Sequence, residues 1–330
     1  MMRLNCRRDY RRGATLIEML VVTGLIALIA SLALPAVQAA RESARRAWCA
    51  NQLKQVILAA HSFESARGGF PPAWSGSVAN RRIANDSSGH PTLLPYLDQV
   101  GIFNSLNFEG PGNRLDNLGV NFTAAAYAVG SFLCPSDPNR RGRGAGVAPN
   151  NYRMCLGVGS LSLANGAYSW IEDGVFVYSR SVLPLAEIRD GLSQTLAFSE
   201  KPIGSGTGGR FHPFRDYSDH DSLARDPDEW VRECANQPVG PSNLLDAGAT
   251  WMLAGPVYTG FLAKAPPNDR TPDCGNRGVL GHGLFTARSY HPGGVNAAMA
   301  DGSVHWFKSS IAVGVWRALG TRNRGDGVVP

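Results

Sequence analysis

Thr15–Leu34 reads T-L-I-E-M-L-V-V-T-G-L-I-A-L-I-A-S-L-A-L, twenty residues with one charge, Glu18. At about 1.5 Å of rise per residue, such a helix reaches roughly 30 Å, the hydrocarbon thickness of a bilayer. Five arginines precede it (Arg3, Arg7, Arg8, Arg11 and Arg12). That basic flank predicts a cytoplasmic N-terminus and a body carried across the membrane. Arg41, Arg45 and Arg46 on the far side reduce the asymmetry.

Outward from this stretch the helical pattern does not stop. From Ala36 to Arg67 there is no Gly or Pro, and Leu53, Val56, Ile57, Ala60 and Phe63 recur at helical spacing. The pattern predicts one helix from near Ala14 to Ala66, a transmembrane segment at 14–36 and an amphipathic stem at 37–67. Pro35 removes one backbone hydrogen bond midway and predicts a kink or local melting. Gly68-Gly69-Phe70-Pro71-Pro72 ends the helix. An ordinary secretory signal would have a shorter apolar core and a small-residue cleavage site, for which S-L-A-L-P-A is the competing stretch. A carboxylate within the apolar run, and the helix that continues past it, oppose that reading.

The formal charge is +6, yet most of it lies in residues 1–13. Without their five arginines and one aspartate, 27 basic side chains face 25 acidic ones. Bulk charge therefore gives no case for a nucleic-acid partner. Gly (38) and Pro (21) are frequent, and regular βαβ alternation is absent. An α+β body over 70–330 is expected, with an antiparallel sheet and long loop insertions. Short strands are expected at Gly174–Tyr178 and Gln194–Glu200, and a short helical or extended stretch at Pro91–Gln99. The clearest local signal spans 291–307, where Val295, Ala297 and Met299 alternate before Asp301-Gly302, and Val304 and Trp306 after it. That is a hairpin.

R-R-G-A-T-L-I-E-M-L-V-V resembles the processing site of type IV pilins and type II secretion pseudopilins. The resemblance implies a pilin-like fold, a prepilin-peptidase cut between Gly13 and Ala14, and N-methylation of Ala14. It makes residues 1–13 a leader and Glu18 the fifth mature residue, whose carboxylate meets the N-terminal amine of a neighbouring subunit and sets filament register. It places Pro35 where family members carry a helix-disrupting proline. Ala14 departs from the Phe preferred there. The structural alternative for Glu18 is a carboxylate that reaches the cytoplasmic headgroups.

His291 and Asp301 are separated by nine residues and followed by Gly302. With C-A-N-Q-L-K-Q (49–55), Phe-Pro-Pro after the helix, L-P-Y-L-D-Q, F-L-C-P-S-D and R-D-G-L-S-Q-T-L-A-F-S-E-K, this H-X9-DG pattern resembles an uncharacterised family of large pilin-like, pseudopilin G-like bacterial proteins. The motif residues are His291, Gly293, Gly294, Asp301 and Gly302, with His291 expected to lock the hairpin by facing Asp301. The resemblance carries no biochemical activity. It implies a single-pass inner-membrane protein with its body periplasmic or extracellular, the bilayer and prepilin peptidase as partners, and other pilin-like subunits or its own copies as filament neighbours.

No catalytic set converges in the sequence, and no enzyme is expected. The densest group of ligating side chains is His212, Asp216, Asp219, His220 and Asp221; calcium suits its oxygens and zinc its imidazoles, but the spacing fits no EF-hand. Gly204–Gly209 lacks the Lys-Ser/Thr of a phosphate loop. Arg140, Arg141 and Arg143 form a small basic loop. The alternative function is a tethered module that binds glycan or another polymer, motivated by the seven Trp. Besides Cys6 in the leader, the cysteines are Cys49, Cys134, Cys155, Cys234 and Cys274. On an exported chain they suit two disulfides and one free thiol, with the pairing open.

Overall fold

The computed structural model describes residues 15–74, 87–108, 121–140, 146–159, 161–164, 167–170, 173–178, 180–220, 222, 224–237, 243–276 and 282–325. Gly13, Ala14, Arg141, Arg143 and Asp221 lie outside the described residues. The helices are α1 (Leu16–Arg67), α2 (His90–Leu93), α3 (Val100–Asn104), α4 (Phe122–Ala125), α5 (Pro227–Ala235) and α6 (Val313–Gly320). The strands are β1 (Tyr152–Cys155), β2 (Leu161–Ala164), β3 (Ala167–Trp170), β4 (Leu196–Glu200), β5 (Tyr217–Asp219) and β6 (Asn243–Leu244). Then come β7 (Gly260–Phe261), β8 (Asp273–Gly275), β9 (Gly283–Leu284), β10 (Gly294–Met299) and β11 (Val304–Lys308). The class is α+β, as expected. Two compact units are distinguished, one ending at Arg45 and one beginning at Arg46.

In the first unit, α1 is apolar and open to its surroundings. Every residue from Leu16 to Arg41 is exposed, and mean hydropathy reaches 2.5 over an 18-residue window. The helix is long and apolar enough to cross a membrane. It runs through Pro35 without interruption, so it does not melt there.

In the second unit, the rest of α1 carries a buried face of Cys49, Leu53, Val56, Ile57, Ala60 and Phe63. Gly68 stops the helix with a left-handed φ of 81°, its N–H donating to the Glu64 carbonyl at 2.7 Å. Gly69 follows because a Cβ there would stand 2.6 Å from the Leu183 carbonyl.

The central sheet has the order β11-β10-β4-β1-β7. Its pairs are antiparallel except β1 with β7, and β5 with β8 is parallel in the second sheet, β6-β5-β8-β9. The body is therefore mixed, which corrects the expected antiparallel sheet. Gly174–Tyr178 is not a strand either. Val175, Phe176 and Val177 are buried apolar residues, but only separate backbone bonds hold them, such as Phe176 N–H to the Cys155 carbonyl at 3.3 Å.

Strands β4 and β10 are buried along their whole length, as central strands covered on both faces must be. On one face Phe198, Ala298 and Ala300 share a core with Leu53, Val56, Ile57 and Ala60 of α1. On the other, Leu196, Val295, Ala297 and Met299 share a core with Trp316 and Leu319 of α6. A bulge allows Leu196 and Phe198 to serve different faces: Phe198 pairs with Ala298 and Leu196 with Met299, leaving Ala197 between them. The expected hairpin is present, with Gly302 at φ 88° and the Lys54 ammonium of α1 donating to the Gly302 carbonyl at 2.6 Å.

Candidate functional site

Four segments far apart in sequence meet on the α1 face of the central sheet. Cys49 is the first buried residue of α1, and its carbonyl accepts from the Tyr152 hydroxyl of β1 at 3.0 Å. Cys134 follows a single 3-10 turn at Gly130–Phe132, and its N–H donates to the Asn151 side-chain oxygen at 2.9 Å. The two cysteines form a disulfide. Glu200 ends β4, and its carboxylate accepts from the Asn296 backbone N–H at 2.8 Å and from the Asn296 side-chain amide at 2.9 Å. His291 sits in the turn before β10, its N–H donating to the Ser289 hydroxyl at 3.2 Å.

His291 Nε2 lies 3.7 Å from Cys134 Sγ and 3.5 Å from Glu200 Oε1. All four donor atoms stand within 4.8 Å of one another, and all four residues are buried. Among the described residues no other set of three or more His, Cys, Asp or Glu groups is grouped this closely. Gly294 keeps the turn tight against the partner strand, because a Cβ there would meet the Phe307 carbonyl at 2.1 Å.

This placement corrects the expected partnership of His291 with Asp301. The six residues of β10 separate them, and Asp301 is exposed at the far turn, accepting from Ser303 N–H at 2.8 Å and from its hydroxyl at 2.7 Å. The hairpin holds His291 against the disulfide instead.

A second polar group adjoins the first. Lys201, next to Glu200, pairs with Asp273 and donates to the Thr286 carbonyl at 3.0 Å; Arg288 donates to the other Asp273 oxygen at 2.8 Å. Burial, opposed by the Asp273 charge, brings the Lys201 pKa down to about 8. Burial also works against the Asp273 carboxylate, but Lys201 and Arg288 outweigh it and hold its pKa below the ordinary value. A small cleft joins the two groups, lined by Cys134, Asp137, Glu200, Lys201, Arg288 and Tyr290 among others.

Among the described residues, His212, Asp216, Asp219 and His220 are not grouped as a metal site, and Asp221 lies outside those residues. Asp216 is buried and accepts from Ser205 N–H at 2.7 Å, the Ser205 hydroxyl at 2.6 Å and His212 N–H at 2.8 Å, which makes it a loop lock. Asp219 is exposed, and His220 Nε2 pairs with Glu233 at 3.0 Å. The disulfides are Cys49–Cys134 and Cys234–Cys274, with Cys155 a buried free thiol, so two bridges and one thiol are borne out.

Glu18 has a local role that sequence reasoning missed. Its carboxylate accepts from Thr15 N–H at 2.7 Å and from the Thr15 hydroxyl at 2.9 Å, while Glu18 N–H donates to that hydroxyl at 3.3 Å. This is a capping box, which T-L-I-E spells out. Each member of the cluster on the sheet lies in one of the segments that carry the family resemblance, but at positions 49, 134, 200 and 291 nothing in their spacing shows that they meet.

No curated protein and no solved structure matches this chain. Residues 38–314 match the profile of a family described as "Protein of unknown function (DUF1559)". The matched range covers most of the chain, begins within α1 just after Pro35, and contains all four residues of the buried cluster. The chain belongs to the DUF1559 family, whose function is unknown.

Proposed function

We propose that the chain is a pilin-like subunit, cut by prepilin peptidase between Gly13 and Ala14, methylated at Ala14, and held in the inner membrane by the first half of α1. The observation that supports this reading most is α1 itself: one unbroken 52-residue helix, wholly exposed and apolar in its first half, with a buried face in its second. A plain anchor needs only the span. A pilin-like helix needs both halves, one for lipid and then for neighbouring helices, the other to seat the body. The basic leader orients the body to the periplasmic or extracellular side. In a filament the Glu18 carboxylate takes the N-terminal amine of the adjacent subunit in addition to its bonds from Thr15.

Mass spectrometry of the membrane-extracted chain tests processing: a mature N-terminus at methylated Ala14 is expected, and an intact Met1 or a cut near Ala36 overturns the reading. Crosslinking in membranes tests assembly. Glu18→Ala is expected to insert normally but lose subunit-to-subunit crosslinks, and unchanged crosslinks would remove the register role. The alternative of a glycan-binding body loses Trp230, Trp251 and Trp316 from its tryptophan argument, since they are core residues, while Trp48 is exposed.

A further inference from the structure

We propose that reduction of the Cys49–Cys134 disulfide turns the buried cluster into a tetrahedral zinc-class metal site, with Cys49 Sγ, Cys134 Sγ, His291 Nε2 and Glu200 Oε1 as ligands. The inference is independent of whether the chain forms filaments.

The donor set and its spacing carry the argument. Two thiolates, one imidazole and one carboxylate are all established zinc ligands. With Zn–S near 2.3 Å and Zn–N or Zn–O near 2.0–2.1 Å, a tetrahedral site has S···N edges of about 3.6 Å and N···O edges of about 3.3 Å. The observed Cys134 Sγ to His291 Nε2 distance is 3.7 Å, and His291 Nε2 to Glu200 Oε1 is 3.5 Å. Two edges of the tetrahedron are thus in place. The S···S edge, about 3.8 Å in such a site, is the one that the covalent bond shortens.

The surroundings suit a metal. Asn296 fixes the Glu200 carboxylate through two hydrogen bonds, the outer support that ligating carboxylates use. The cations nearest on the same cleft, Lys201 and Arg288, are committed to Asp273. The cleft also gives access, since Cys134 and Glu200 line it.

The chemistry balances with a dithiol as reductant. One of its thiolates attacks the Cys134 sulfur, the Cys49–Cys134 bond breaks, and the second thiol of the reductant displaces the mixed disulfide. The reductant leaves oxidised by two electrons, and two protein thiols remain. A divalent metal then displaces two thiol protons to water with no change of oxidation state. Under oxidising conditions the disulfide staples α1 to the loop at Cys134; under reducing conditions the metal makes the same connection.

The test uses the full-length chain in detergent, reduced with a phosphine and titrated with Co2+ as the spectroscopic probe. One Co2+ per chain is expected, with thiolate-to-cobalt charge-transfer and intense tetrahedral d–d bands that an excess of Zn2+ removes. The unreduced chain should show neither band. Cys234→Ser/Cys274→Ser should keep the bands, whereas His291→Ala and Glu200→Gln should each weaken Co2+ binding at least tenfold. Absence of the bands in reduced wild-type protein overturns the proposal. So does retention of full affinity in both His291→Ala and Glu200→Gln, which would leave thiols alone as the binding groups.

Discussion

Lys264 is fully buried, with its ammonium 4.9 Å from the centre of the Trp230 ring. Burial, partly offset by Asp173, brings its pKa down from 10.5 to about 7. Between those values the unfolded chain holds the proton and the folded chain does not, so stability rises with pH across that window. Its slope approaches 1.36 kcal/mol per pH unit, about the value for one proton. Below the folded value both states are charged, and the folded state bears the whole cost of a buried ammonium. Lys264→Met should flatten this rise when full-length protein in detergent is unfolded by denaturant at pH 7 and pH 9. Asp273 works the other way. Asp273→Asn leaves Lys201 and Arg288 buried without their counter-charge, and a loss of about 3–5 kcal/mol is expected in the same assay at neutral pH. At this scale some of the chemistry was legible and some was not. Thr15 and Glu18 form a readable capping pair because its partners are three residues apart. Lys201, Asp273 and Arg288 are far apart in sequence, and nothing in their spacing announces that they will share one buried site.

The hairpin of β10 and β11 was readable because side-chain alternation and an Asp-Gly turn are local signals of period two. What the hairpin does was not, because His291 answers to Cys134 and Glu200 across the sheet rather than to its own turn. The two-residue strand β7 is too short to show any period, so its parallel pairing with β1 could not be anticipated. Gly174–Tyr178 misled for the opposite reason: it is apolar enough for a strand but is buried without a ladder. Gly294→Ala belongs at this scale, since the added methyl would strike the β11 backbone at Phe307. The expected cost is about 1–3 kcal/mol, as for overpacking in a dense core, read as a lower midpoint in denaturant unfolding. Pro35→Ala should have the contrary effect on α1. It returns one backbone donor to a helix that is already continuous, so amide exchange around Ser31 should slow while the body's unfolding midpoint stays put.

Across the whole molecule the two disulfides differ in what they close. Cys49–Cys134 spans 85 residues and Cys234–Cys274 spans 40. On chain-entropy grounds the longer closure contributes about 4–5 kcal/mol and the shorter about 4. Cys49→Ser/Cys134→Ser should therefore lower stability at least as much as Cys234→Ser/Cys274→Ser, measured by thermal unfolding without reductant. A larger loss from the second pair would show that closure length does not rank the two bridges.

The position of that tie sets the path of mechanical load. Tension applied through the N-terminal half of α1 enters the body at Cys49, the first buried residue of the helix. Because the covalent bond stands there, ahead of Leu53, Val56, Ile57 and Ala60, the pull reaches the loop at Cys134 before it can peel the helix from the sheet one turn at a time. Behind the tie, the bond from Lys54 to the Gly302 carbonyl and the apolar face are shielded from the leading edge of the force. A body tied in this way resists being stripped from its own helix.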